Sequence, residues 1–122
     1  MKAFYIIIIV LLLMLGLILY YSAYIRNFAE EAIITLENAH IPSSQNSKNE
    51  MFDLQASIEN FLTKAEFALT RKKSDTLRDY ATLLVIQADT GNIYEFEATR
   101  SLTVNLLKNM ADLERASLKN LF

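Results

Sequence analysis

Cysteine and tryptophan are absent from this 122-residue sequence, and glycine and proline are nearly so, with two and one occurrences. Without cysteine the chain has no disulfide, no thiol nucleophile, no site for lipoprotein acylation and no cysteine-ligated metal. Because turn-rich β folds need many glycines and prolines, their scarcity favours an all-α fold. A formal net charge of −2 argues against nucleic acid as a partner, since duplex binding requires a basic face that neutralises several phosphates.

Charged residues, amides and proline are also missing from one long run, Ala3 to Ile25. About 20 apolar residues suffice for a helix to cross a bilayer, so residues 1–25 are predicted to be a transmembrane anchor. Aromatic side chains, which favour the two membrane interfaces, flank the run: Phe4, Tyr5, Tyr20, Tyr21 and Tyr24. At about 1.5 Å per helical residue, Phe4 and Tyr24 lie roughly 30 Å apart, which matches one hydrocarbon thickness.

We expect this span to be retained rather than cleaved as a signal peptide. A signal-peptide core has about 7 to 15 apolar residues and ends at a small-x-small site, whereas this run is longer and Tyr21 lies three residues before a cleavage point after Ala23. Lys2 precedes the span, while Arg26 follows it and is soon met by two glutamates. The positive-inside rule therefore favours a cytoplasmic amino terminus and an extracytoplasmic domain, by about one charge.

After the span, helical periodicity predicts an antiparallel, up-down bundle of about four helices over residues 26–122. The expected helices are 26–40, 47–72, 75–90 and 93–115, followed by a short apolar tail, 117–122. Pro42 and Gly91 stop helices, while Ser47, Ser74 or Asp75, and Asn92 are expected to cap them. Since no glycine or proline lies at 71–75, one continuous helix through this boundary is the alternative. The fourth helix is expected to bury the stripe Ala98, Leu102, Leu106, Leu107, Met110 and Leu113.

The layout of the chain resembles a known family. It begins Met1-Lys2, continues with one long apolar span and a helical domain, and ends Ser117-Leu118-Lys119-Asn120-Leu121-Phe122. It is similar in this to the uncharacterised family catalogued as domain of unknown function four-three-six-three, small single-span proteins of Firmicutes, many of them spore formers. The resemblance covers the whole length, and the ending is its specific part. It implies an all-helical fold and a bacterial membrane location, but no activity, because the family has none assigned.

No motif in the sequence predicts catalysis. Glycine-rich phosphate loops and Gly-x-Ser-x-Gly are missing, and His40 is the only histidine. Glu37 and His40 have the Glu-x-x-His spacing of di-iron bundles, but that site needs a second such pair. We therefore expect no catalytic residues, no metal and no cofactor. Arg71, Lys72, Lys73 and Arg78 form a weak candidate site for an anion or a lipid headgroup, although such runs are more often solvated helix ends.

Two classes of function are consistent with this organisation. The first is a non-enzymatic interaction or scaffold module of the bacterial cell envelope, whose partners are the lipid bilayer and another envelope protein or a second copy. The second is a sensory or carrier bundle that binds a small amphiphile between its helices. An exposed apolar stripe favours the first, and a pocket larger than about 300 Å³ favours the second.

The predicted span can be tested with charges placed at its centre. Each charge there costs roughly 2.5 to 3.5 kcal/mol, so Leu13→Lys should still insert, whereas Leu11→Lys combined with Leu15→Lys should largely fail. Carbonate extraction of membranes measures the inserted fraction. Recovery of a mature chain that begins at Tyr24 would contradict retention.

The apolar tail should contribute to folding. Leu118, Leu121 and Phe122 are spaced to share one helical face, and we expect them to be buried, either against the bundle or in a partner. Deleting Leu121 and Phe122 from the full chain should then lower the free energy of unfolding by up to about 3 to 6 kcal/mol. An unchanged melting temperature with loss of a co-purifying protein would instead make the tail a partner contact.

Overall fold

A computed structural model describes residues 1–39, 45–65 and 69–121, with the side chains at 45, 46, 117, 118 and 121 left aside. These residues form four helices and no strand, which confirms the all-α prediction. The helices are α1 (Lys2–Glu37), α2 (Gln45–Ala65), α3 (Arg71–Thr90) and α4 (Ile93–Leu121). Four amphipathic helices of this kind hide their apolar stripes by packing against one another.

The four helices alternate in direction. Lys48 of α2 pairs with Asp89 of α3 at 2.9 Å, and further down Glu59 pairs with Arg78 at 3.4 Å, so α2 and α3 are antiparallel. On the other side of the bundle, the Arg115 guanidinium of α4 lies 2.6 Å from the Glu30 carboxylate of α1. Each of α1 and α3 thus packs against both α2 and α4, and the closest association is between α1 and α4.

One continuous helix, α1, connects an apolar arm to the bundle. Residues 3–21, here called the arm, are exposed or half-buried, and burial in the bundle begins at Ser22 and Ile25. The bundle therefore starts four residues before the expected boundary at Arg26. The arm's 19 residues measure about 28 Å along the helix axis, which is still enough to cross a hydrocarbon core. By length and composition, α1 is the one helix of the described residues that could span a membrane.

Local capping explains where α3 and α4 begin. The α2–α3 boundary is a real break: α2 ends at Ala65 rather than near 72, and Arg71 belongs to α3. Thr70 caps α3, because its hydroxyl accepts a hydrogen bond from the Lys73 amide at 3.3 Å. The expected caps Ser47 and Ser74 lie instead inside α2 and α3, respectively, and both are buried. Gly91 ends α3 in the left-handed conformation (φ 74°), and Asn92 Oδ1 accepts from the Glu95 amide at 3.2 Å, as predicted.

The core is formed by one apolar stripe from each helix. Largest among the fully buried side chains are Phe61 of α2 and Phe96 of α4. The small core residues of α1 are Ala29 and Ala32, and those of α3 are Ala81 and Ala88. The core consists of Ile25, Ala29, Ala32, Leu36, Met51, Leu54, Ile58, Phe61, Leu62, Ala65, Leu77, Ala81, Leu84, Ala88, Phe96, Leu107, Met110 and Ala111.

The prediction of which α4 residues face the core is partly wrong, because the buried face is rotated by part of a turn. Leu107 and Met110 are buried as expected, but Leu102 and Leu113 remain about half exposed, at 51% and 50%. Their places in the core are taken by Phe96, Thr99, Thr103 and Ala111. Thr103 tolerates burial because its hydroxyl donates to the Thr99 carbonyl one turn earlier, at 2.7 Å.

This assignment of the α4 faces predicts different costs for two matched leucines. Leu107→Ala should lower the free energy of unfolding by roughly 2 to 5 kcal/mol, because it leaves a cavity in the core. Leu102→Ala, on the same helix, should cost less than about 1 kcal/mol because its side chain is half exposed. Chemical unfolding of the full chain in a neutral detergent measures both. Equal losses would contradict the assignment.

Candidate interaction surfaces

Aromatic stacking fixes α1 to α2 at the end of the bundle from which the arm leaves, here called the basal end. The rings of Phe28 and Phe61 are nearly parallel, with centroids 3.9 Å apart, and Tyr24 stacks on Phe61 at 5.5 Å. Tyr24 also stacks on Tyr20 of the arm at 6.5 Å. The tyrosines predicted to form an interfacial belt are thus shared between the arm and the bundle. Phe4 and Tyr5 lie exposed near the other end of the arm.

A groove of about 330 Å³ lies at the basal end, lined by Tyr20, Tyr21, Tyr24 and Lys64. Lys64 is in the last turn of α2 and is exposed. Its position shows that the end of α2 reaches down to the level at which the arm begins. The basal end is therefore level with the tyrosines rather than separated from them by a linker.

Three of the four residues of the predicted anion site lie together at the start of α3, and the fourth, Arg78, lies apart from them. Arg71 and Lys72 are exposed and Lys73 is half-buried at the start of α3. Extending the α2–α3 register set by Lys48–Asp89 and Glu59–Arg78 places Lys73 opposite Lys64. Arg78 lies about two turns further from this end, where it pairs with Glu59 at 3.4 Å and Asp75 at 3.8 Å.

The opposite end of the bundle, here called the distal end, is rich in carboxylates. The Arg100 guanidinium of α4 donates to the Leu36 carbonyl at the end of α1, at 3.5 Å, and also pairs with Glu97. Arg100 thereby satisfies an end carbonyl of α1 and complements the negative end of its dipole. Acidic residues of the distal half include Glu31, Glu37, Glu50, Asp53, Asp89 and Glu95.

Between α1 and α2, a groove of about 300 Å³ opens on the distal half of the bundle. Phe28, Ala32 and Leu54 contribute apolar surface to it. The remaining lining residues are polar, and most of them are exposed: Glu31, Thr35, Glu50, Asp53 and Ser57. The groove combines an apolar floor with a negatively charged rim.

A row of exposed side chains follows the outside of α4. It consists of Tyr94, Ala98, Leu102 and Leu113, and is here called the outer row. Spacings of four, four and eleven residues keep these side chains on one face of a helix. Tyr94 is 91% exposed, and both leucines are about half exposed. α4 therefore carries exposed apolar side chains on its outer side, with the exposed Asn105 and Asn109 lying between Leu102 and Leu113.

The structure brings together no metal site among the residues it describes. Glu37 is exposed at the end of α1, and His40 lies outside the described residues. Three aromatic side chains of the bundle are dispersed rather than grouped around one pocket: Phe96 is in the core, Phe52 is half exposed beneath the Lys48 ammonium, and Tyr94 is exposed. For the predicted tail contact, the backbone of α4 continues as helix to Leu121, while the side chains of Leu118, Leu121 and Phe122 lie outside the description.

Comparison with protein-family models, curated proteins and solved structures finds no match. The family resemblance given by the layout and ending of the chain therefore stays a prediction.

The basal stacking predicts a large difference between two phenylalanines of α2. Phe61→Ala should destabilise the protein by roughly 3 to 5 kcal/mol, because it removes a buried ring that contacts both Tyr24 and Phe28. Phe52→Ala, nine residues away and half exposed, is the matched control and should cost much less. Thermal unfolding of the full chain measures the difference. A loss at Phe52 as large as that at Phe61 would contradict this account.

Proposed function

We propose that the protein is a non-enzymatic, single-span interaction module of the bacterial cell envelope. In this proposal α1 anchors the chain in the cytoplasmic membrane, and the outer row of α4 binds another envelope protein or a second copy of the chain. The observation that carries the proposal is the outer row itself, because its apolar residues follow one helix face on the outside of an otherwise folded bundle.

The outer row supports an interaction surface because its residues are aligned. Single exposed apolar side chains are ordinary on protein surfaces, whereas several large ones repeated along one helix face favour a binding site. Leu102 and Leu113 lie three helical turns apart on the same face, and Ala98 and Tyr94 extend that face toward the distal end. Exposed tyrosine is also a residue type enriched at protein interfaces.

The groove between α1 and α2 supports the second candidate, a bundle that binds a small amphiphile. Its volume of about 300 Å³ is at the lower limit for small-molecule sites. Polar residues form most of its lining, whereas ligand pockets are lined mainly by apolar side chains. We therefore favour the protein partner. The second candidate requires that the purified protein release a bound amphiphile on extraction with organic solvent.

Site-specific photocrosslinking in native membranes tests the interaction surface. A photoreactive residue placed at Leu102 should yield an adduct of defined mass, and one placed at Lys108 should not. Both positions are exposed on α4, but they differ by about 120° around the helix, so Lys108 is a control for general crowding. Equal adducts at both positions, or none along the whole row, would overturn the proposal. An adduct at twice the mass of the chain would identify self-association.

We also propose that the amino terminus is cytoplasmic and the bundle extracytoplasmic. The absence of native cysteine allows a direct test with single introduced cysteines. Lys108→Cys, on the exposed surface of α4 and away from the outer row, should react with a membrane-impermeant maleimide in intact cells. Ala3→Cys should react only after lysis. The reverse pattern would place the bundle in the cytoplasm.

A further inference from the structure

The basal end of the bundle gathers cations that lie far apart in the sequence. Lys64 ends α2, and Arg71, Lys72 and Lys73 begin α3 opposite it, as the antiparallel register requires. Lys119 lies in the last turn of α4, one helical turn beyond Arg115, which reaches Glu30 of α1. The five residues Lys64, Arg71, Lys72, Lys73 and Lys119 are here called the basal cations.

Most of the basal cations lack an acidic partner among the described residues. Arg71 has only a long contact with Asp75, at 3.9 Å, and its side chain is 96% exposed. Lys64, Lys72, Lys73 and Lys119 form no ion pair in the described part of the chain. By contrast, three arginines further up the bundle are paired with carboxylates: Arg78, Arg100 and Arg115. Like charges gathered in this way repel one another, so the cluster lowers the stability of the bundle unless an outside anion compensates for it.

The arm places this cluster at a defined height. Its 19 residues, about 28 Å long, use up the thickness of a hydrocarbon core. The tyrosines at its end then lie at the interface, and Lys64 lines the same groove as Tyr20, Tyr21 and Tyr24. A flexible linker could let the bundle move away from the surface, but α1 is helical throughout this region. The exposed lysines are long enough to reach toward headgroups from this level.

We propose that the basal cations bind anionic phospholipid headgroups and seat the bundle on the bilayer surface. This proposal rests on the anchoring of α1 in a membrane but not on the identity of any protein partner. The chemistry that recognises the lipid is charge: the cations face the side from which the arm leaves, and the distal half, with its carboxylates, faces away from it. An anionic surface thus attracts the basal end and repels the distal end.

Lipid retention by the full-length protein tests the proposal. The chain is reconstituted into bilayers of equal amounts of phosphatidylcholine and phosphatidylglycerol, purified in a neutral detergent at low salt, and the retained lipids are quantified by mass spectrometry. Wild-type protein should retain phosphatidylglycerol preferentially. Because each basic residue near an anionic surface contributes roughly a fivefold gain in affinity, Lys72→Gln with Lys73→Gln should reduce the preference about 25-fold.

A matched double variant controls for the loss of two positive charges. Lys48→Gln with Lys108→Gln removes the same charge from the distal end and from the middle of α4, and should leave the lipid preference unchanged. Thermal unfolding in the same detergent establishes that both double variants are folded. Equal retention of the two lipids by the wild type, or equal loss in the two variants, overturns the proposal. The proposal is also overturned if inorganic phosphate displaces the retained phosphatidylglycerol and chloride of equal ionic strength does not. That result would identify a discrete phosphate site.

The same preparation separates this proposal from the anchoring of the chain. Resistance of the wild-type protein to carbonate extraction reports insertion of the arm and does not depend on the headgroup. If the protein is inserted but shows no lipid preference, the anchoring of α1 stands and the proposal for the basal cations fails. A protein that is extracted by carbonate loses the anchor, and with it the premise of both proposals.

Discussion

The unbroken backbone hydrogen bonding of α1 is the constraint on which the rest of this structure depends. The same helix supplies the arm and, from Ser22 onward, one wall of the core. A helix turns by about 100° per residue, so the direction in which Ile25 and Ala29 point is fixed relative to every side chain of the arm. The bundle consequently cannot rotate or tilt independently of the arm. Stacking of Tyr24 between Tyr20 and Phe61 reinforces this junction with side-chain contacts.

Antiparallel folding separates the charges of this chain into a basic end and an acidic end. Along the sequence, acidic and basic residues are interspersed apart from the run Arg71-Lys72-Lys73, and the net charge of −2 does not reveal how the charges are distributed in space. Reversing direction at each turn brings the end of α2, the start of α3 and the end of α4 to one end of the molecule. Cations predominate there, while carboxylates predominate at the opposite end. The charge asymmetry is therefore a property of the topology.

The sequence predicts the features of this protein that depend on local chemistry. The apolar run, the left-handed Gly91 and the Asn92 cap are each determined by a few neighbouring residues, and the structure contains all three. Of the apolar residues at helical spacing on α3, Leu77, Ala81, Leu84 and Ala88 are buried, while Tyr80 and Val85 beside them are half-buried. The end of α2 was harder to predict, since no glycine or proline marks it and the α3 cap is Thr70 rather than the serine or aspartate that follow.

What the sequence alone could not resolve depends on contacts between distant segments. α4 has leucines on both its inner and its outer side, and Leu102 and Leu113 are among those that remain about half exposed. The inner side includes Thr99 and Thr103, whose burial depends on a hydroxyl bonded to the helix backbone. Likewise, the sequence does not show that Lys64 lies beside residues 71–73, because that depends on the register of α2 against α3. No local signal could have grouped Lys119 with them.

The close packing of α1 against α4 has a consequence for how the chain folds. These helices meet across long sequence separations, 64 residues between Leu36 and Arg100 and 85 between Glu30 and Arg115. Contacts of such range form late, because the loop that joins them must be ordered first. During synthesis, the apolar face of α1 beyond the arm emerges well before the helix that covers it. The nascent chain thus passes through a stage in which Ala29, Ala32 and Leu36 lack the covering surface of α4, and an exposed apolar stripe of this kind is prone to non-native association.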